Sequence, residues 1–265
     1  MKADLSTHVV TANQGAICGR LIINADDWGR DRENTDRTFD CFARGAISSA
    51  SAMVFMEDSE RAAEIATSHG VDCGLHLNLT SAFTARNTPR KLADTQSRIS
   101  RFLRSHRYAQ IIYHPGLRNG FEYVVKAQLD EFLRIFGVAP ERIDGHHHMH
   151  LCSNVIADKL LPAGTIVRRN FTFASGEKGI VNRVYRGIVD RAVQRRHRTT
   201  DGLYSLPPLS PAGRVKAIFS KAQQQIIEVE THPVNADEYR FLTGGDVFKL
   251  AGDIPVAPAY RLRNQ

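Results

Sequence analysis

From residue 20 onward, short apolar runs alternate with amphipathic stretches. Residues 20–25 form a continuous apolar run, as in a parallel strand covered on both faces. Residues 31–44 then carry helical spacing, opening at Asp31 and Glu33 and stopped by Gly45. Residues 46–55 return to strand. Residues 58–69 read as a second helix, with Asp58 as N-cap, Ala62, Ile65 and Ala66 on one face and Gly70 as stop. A third strand follows at 71–79. Residues 81–118 are polar, basic and poor in periodicity, so a long loop is expected there, mobile and placed for substrate recognition at a cleft. The plainest helix is 119–136, with Phe121, Val125, Leu129, Phe132 and Phe136 on one stripe, Gly137 closing it, and Asn119 with Glu122 set as a capping box. Further strands are predicted at 142–148, 165–170, 200–206 and 225–231. Helical patterns separate them at 153–161, 178–196 and 210–222, with Ser210-Pro211 as a start signal, and a last helix covers 236–251.

Seven strands interleaved with helices predict an α/β fold with a parallel sheet, most economically a distorted seven-stranded (β/α) barrel. In such folds the reactive groups gather at the carboxyl ends of the strands. A polar leader is expected at 1–19 and a single domain at 20–265, carrying the basic insertion at 81–118.

Composition changes this picture little. The 265 residues are 42% hydrophobic and 24% charged, which excludes wholesale disorder. The net charge of +7 invites a nucleic-acid reading. Its concentration in 86–107 and 191–198, without heptads or an RNA-binding aromatic signature, argues instead for solvated faces, with attraction to an anionic substrate or membrane surface left open. Cys18, Cys41, Cys73 and Cys152 show no CxxC spacing, so free buried thiols in a reducing compartment are expected. No secretory signal and no run of membrane-spanning length is present, so the expected location is the cytoplasm, without stable membrane insertion; a homodimer is compatible with the composition.

Three strand ends carry chemistry. One apolar run ends in Asn24-Ala25-Asp26-Asp27-Trp28-Gly29. A second, Gly74-Leu75-His76-Leu77, holds a lone histidine, and a third ends in Gly145-His146-His147-His148-Met149-His150. Histidine is the commonest metal ligand, and one carboxylate with two imidazoles from separate strand ends makes a divalent-metal site. On a continuing strand His146, His148 and His150 would share one face and His147 would point away. Asp26 and Asp27 would likewise face opposite ways, one toward a metal and the other toward a water. Trp28 either walls the cleft or fills the core. His232, fixed in an extended conformation by Pro233, suits a general acid.

These segments, with Thr231-His232-Pro233, resemble the YdjC-like carbohydrate deacetylases, which include the chitooligosaccharide deacetylases. The resemblance spans about residues 21–235. It implies a (β/α) barrel of the glycoside hydrolase/deacetylase type, with metal ligands at Asp27, His76 and His146. It further implies a catalytic base at Asp26 and a protonating acid at His232. Trp28, His148 and His150 are then expected to contact the substrate. Trp28 stands where the family usually has Phe, and Thr231 where Cys is frequent. The implied reaction is hydrolysis of an N-acetyl group from an amino sugar, an N-acetylglucosamine-containing oligosaccharide or a glycolipid. One divalent ion would serve it: Mg²⁺ by resemblance, Zn²⁺, Co²⁺ or Mn²⁺ by ligand type. A barrel phosphoesterase would call for more carboxylates bridging two metals. The alternative to an enzyme is a non-enzymatic metal-binding or nucleic-acid-binding protein.

Overall fold

The computed structural model describes residues 19–173, 177 and 179–262. The expected leader, apart from Gly19, and Cys18 with it, lies outside the described residues. Strand β1 (Arg20–Trp28) starts a seven-strand series continued by β2 (Ser49–Ala52), β3 (Cys73–Leu77), β4 (Arg142–Gly145), β5 (Ile166–Val167), β6 (Gly202–Ser205) and β7 (Ile226–Thr231). All pairings are parallel, in the order β5-β4-β3-β2-β1-β7-β6. The sheet curls into a half-barrel. Beyond β5, the Thr172 amide donates to the Leu203 carbonyl of β6 at 2.8 Å, drawing the two edges together.

Helices α1 (Arg32–Ala43), α2 (Ser59–His69), α3 (Arg90–Leu103), α4 (Arg118–Phe136), α5 (Ser153–Ala157), α6 (Ile180–Gln194), α7 (Ala212–Lys221), α8 (Ala236–Thr243) and α9 (Asp246–Ala251) connect and flank the strands. Asp31 caps α1 by accepting the Asn34 amide at 2.9 Å. Asp58 sits ahead of α2, but its carboxylate pairs with Arg61 rather than the helix backbone. The expected capping box at Asn119 does not form, because α4 runs on from a 3-10 turn at Pro115–Leu117. The single helix expected at 236–251 is split by Gly244 and Gly245, the latter at φ 83°.

The largest departure from the predicted elements is at 81–118. That stretch contains α3, which buries Leu92, Gln96, Ile99 and Leu103 on a stripe of spacing four, three and four. The expected mobile loop is therefore largely a packed helix with 3-10 turns, contributing to the same apolar cluster as α4.

The two faces of the sheet differ in chemistry. Leu21, Ile23 and Ala25 of β1 turn outward into apolar clusters under the helices. Polar residues recur at every second position and are buried: Asn24 and Asp26, Ser49 and Ser51, Arg142 and Asp144, Glu228 and Glu230. They bond to one another. The Ser49 hydroxyl donates to Asn24 Oδ1 at 2.6 Å, and the Asn24 amide donates to Ser51 Oγ at 2.8 Å. At Gly74 a Cβ would stand 2.7 Å from Arg142 Nε, so only glycine lets that guanidinium lie across the sheet.

Candidate active site

The carboxyl ends of the strands open into a cleft of about 1360 Å³. Its floor is formed where β1 breaks register between Ala25 and Trp28. Asp27 adopts φ 64° there, a left-handed conformation that carboxamide and carboxylate residues tolerate best after glycine. The bulge cancels the expected alternation, and Asp26 and Asp27 both reach the cleft. They approach the same ring: His76 Nδ1 is 3.9 Å from Asp26 Oδ2, and His76 Nε2 is 3.4 Å from Asp27 Oδ1.

His146 Nδ1 comes within 2.9 Å of the same Asp27 oxygen. Neither ring contact is aligned as a hydrogen bond, so Asp27 Oδ1 is buried without a donor. Asp27, His76 and His146 each offer one ligand atom, all within 4.8 Å of one another. Three donors that converge without satisfying each other, two imidazoles and one carboxylate, fit a divalent ion. The other His76 nitrogen, Nδ1, lies 2.8 Å from Asp144 Oδ1, the carboxylate–imidazole support usual behind a metal-ligating histidine. Burial alone would raise the Asp27 carboxyl, but the His146 and His76 rings hold it well below the ordinary range. Burial would lower His76, but Asp26 and Asp144 push it well above its ordinary value.

The histidine run is not a strand. It is a 3-10 segment, His146–Leu151, with His147 at φ 55° and His148 at φ 57°. Two successive left-handed residues send the ring vectors apart. His146 joins Asp27 and His76, and His147 Nδ1 meets Thr80 Oγ1 at 3.0 Å. His148 stays in the cleft, with Nε2 3.1 Å from Glu230 Oε2 and its ring edge-on to Phe171. His150 turns away from the cleft, fully buried, with Nε2 2.9 Å from the Arg168 carbonyl oxygen. Trp28 is also absent from the cleft wall and packs in the core. None of the cleft-lining residues comes from 81–118.

His232 follows β7 into the cleft, its amide donating to Glu238 Oε2 at 2.9 Å. Asp26, Glu230 and His232 bring oxygen and nitrogen atoms within 4.8 Å of one another. Beneath them lies Arg168, 1% exposed, which the sequence reasoning missed. It donates to Asp26, Asp144, Glu228 and Glu230 at 2.6 to 3.1 Å. Tyr260 donates to Glu228 Oε2 at 2.6 Å. Burial raises Glu228, against the opposing pull of Arg168. Burial would raise Glu230 too, but His148 and Arg168 hold it at about 2.

The sequence pattern of the family described as YdjC-like protein matches residues 20–249, nearly the whole described chain. The chain belongs to the YdjC-like family. Among its relatives in that family is a carbohydrate deacetylase of Clostridium beijerinckii, 25% identical over 217 residues, covering 81% of each chain. A carbohydrate deacetylase of Mus musculus is 29% identical over 169 residues, 61% of this chain and 52% of its own. A chitooligosaccharide deacetylase of Yersinia pestis is 29% identical over 136 residues, 51% of this chain and 52% of its own. The chain thus spans about half the length of several curated relatives it matches. A crystal structure from Enterococcus faecalis V583, described as that of a candidate cellobiose-phosphate cleavage protein, superposes with a TM-score of 0.61 at 18% identity. The match covers 91% of this chain and 97% of that one and shows the shared fold. The YdjC-like chain has no helix, among the described residues, long and apolar enough to cross a membrane.

Proposed function

We propose that the protein is a divalent-metal-dependent hydrolase that removes N-acetyl groups from an amino sugar, free, in an oligosaccharide or on a glycolipid. One observation carries this reading: the Asp27–His76–His146 cluster opens onto the same cleft as Asp26 and His232. The names of the deacetylase relatives support it.

Asp27, His76 and His146 would hold the ion, with Asp144 fixing the His76 ring. When bound, it would polarise the amide carbonyl and lower the pKa of a water. Asp26 serves as general base. Arg168 occupies an acceptor position on each of its oxygens and Asn24 a second on Oδ1, at 2.9 Å, which leaves Oδ2 room to take the proton of the attacking water. His232 donates a proton to the departing nitrogen. His148, held by Glu230, contacts the sugar from the opposite wall. The free thiols Cys41, Cys73 and Cys152 support a reducing, cytoplasmic setting.

Acetate release from N-acetylglucosamine oligomers tests the reading. The protein should release acetate, lose the activity on chelation and regain it on adding back Zn²⁺, Co²⁺, Mn²⁺ or Mg²⁺. Turnover that survives complete chelation would exclude it. A phosphoesterase reading is weaker, because Arg168 already bridges Asp26 and Glu230 where a second ion would sit.

A further inference from the structure

Two exposed patches on one flank of the barrel combine bare apolar side chains with arginines. The inward face of α6 carries Val189, Asp190 and Val193. Its opposite face presents Ile180, Val181, Val184 and Ile188, exposed by 78%, 84%, 56% and 59%. Arg191 and the exposed Arg195 continue that outward stripe at helical spacing. The sole carboxylate of α6, Asp190, is turned inward, accepting from the Asn170 amide at 3.0 Å and pairing with Arg169 at 3.1 Å.

The second patch is the turn after α3, where Tyr108, Ile111, Ile112 and Tyr113 are exposed. The flanking sequence carries the exposed Arg98, Arg101, Arg104 and Arg107, and Arg118, which is exposed and lies 3.4 Å from Asp158; no Asp or Glu occurs between Asp94 and Glu122. Both patches flank α5. Tyr113 donates to Asp158 Oδ1 at 3.0 Å just past the end of that helix, and Val189 and Val193 of α6 share an apolar cluster with its Val155 and Ile156.

We propose that this flank docks the protein on an anionic lipid surface. Apolar side chains on a face where arginines outnumber carboxylates, with Asp158 already paired to Arg118 and Glu177 ahead of α6, suit the boundary between headgroups and acyl chains, where phosphates meet the guanidiniums. A second copy of the chain would bring arginines against arginines. A nucleic acid would use the arginines but leave the isoleucines and valines idle. The flank is joined to the cleft: Phe171 and Phe173 line it on the segment leading to α6, and Arg186 of α6 stacks on Phe173 at 5.0 Å. Docking therefore holds the cleft at the lipid surface, independently of the reaction performed there.

Co-sedimentation with vesicles tests this. The protein should bind phosphatidylcholine vesicles containing phosphatidylglycerol, not phosphatidylcholine alone, and binding should weaken with salt. V181S/V184S/I188S and R104Q/R107Q should each bind about tenfold or more weakly. Circular dichroism and turnover of a soluble acetylated sugar should stay unchanged, because none of these residues belongs to the cleft. Three results would overturn the proposal: no preference for anionic vesicles, unchanged binding by both variants, or a dimer that V181S/V184S/I188S dissociates.

Discussion

Arg168 grips Asp26 through both carboxylate oxygens, with Nη1 2.6 Å from Oδ2 and Nη2 2.7 Å from Oδ1. The same guanidinium ties together four carboxylates from β1, β4 and β7, so one side chain just after β5 offsets part of the negative charge at the centre of the half-barrel. Removing one partner of a buried charge network leaves the others uncompensated, at about 3–5 kcal/mol. R168M should lose at least that much in urea unfolding. R168K keeps the charge but not the fork. It should fold and lose turnover more than substrate affinity, because Arg168 positions Asp26 rather than touching the substrate. An R168M protein as stable as the wild type would contradict this account.

The two neighbouring aspartates should separate cleanly. D26N keeps shape but loses the base, so turnover should fall by about 10²–10⁴-fold while metal content holds. D27N should lose metal, and excess metal should partly restore it. Metal content by mass spectrometry, measured beside acetate release, distinguishes them. A D26N enzyme with full metal and near wild-type turnover refutes the role given to Asp26.

Asp144 Oδ1 lies 2.8 Å from His76 Nδ1 and would act on a bound metal through that ring. D144N should weaken metal binding by about 10–100-fold, the scale of losses behind a ligating histidine. Competition against a chromogenic chelator measures it, and unchanged affinity would show that the ring is held by its surroundings alone.

His150 gives a pH-dependent signature of stability. Burial and the nearby His148 hold its pKa at about 3 against an ordinary value near 6.5. It is therefore neutral in the folded protein and protonated in the unfolded chain between those values. Stability it contributes is complete above pH 6.5 and lost as pH falls toward 3, by about 1.4 kcal/mol per pH unit at most. With metal chelated, H150Q should show a flatter decline of unfolding free energy from about pH 6.5 to about pH 5 than the wild type. Parallel declines would remove His150 as the source.

The strands and helices were legible because parallel strands covered on both faces read as apolar runs, and the helices between them carry a clear stripe. The helix at 90–103 was missed because one of its four buried positions is Gln96, which breaks an otherwise regular Leu92–Ile99–Leu103 stripe. That Asp27, His76 and His146 come together was legible from motif position, but their geometry was not. Expected alternation failed at Asp26–Asp27, where the bulge puts both on one side, and at His146–His150, where two left-handed residues replace a strand. Arg168 stood in a predicted strand with nothing to mark it. Its partners did leave a signal, since Asn24 and Asp26, Arg142 and Asp144, and Glu228 and Glu230 alternate in otherwise apolar strands. A polar period of two on several strands at once announces a buried ionic interior.

The most direct test of the central claim is anomalous diffraction from crystals grown with Zn²⁺ or Co²⁺. This account predicts one peak per chain, between Asp27 Oδ1, His76 Nε2 and His146 Nδ1. A peak lodged instead among Asp26, Glu230 and His232, or no protein-bound peak at all, would contradict it.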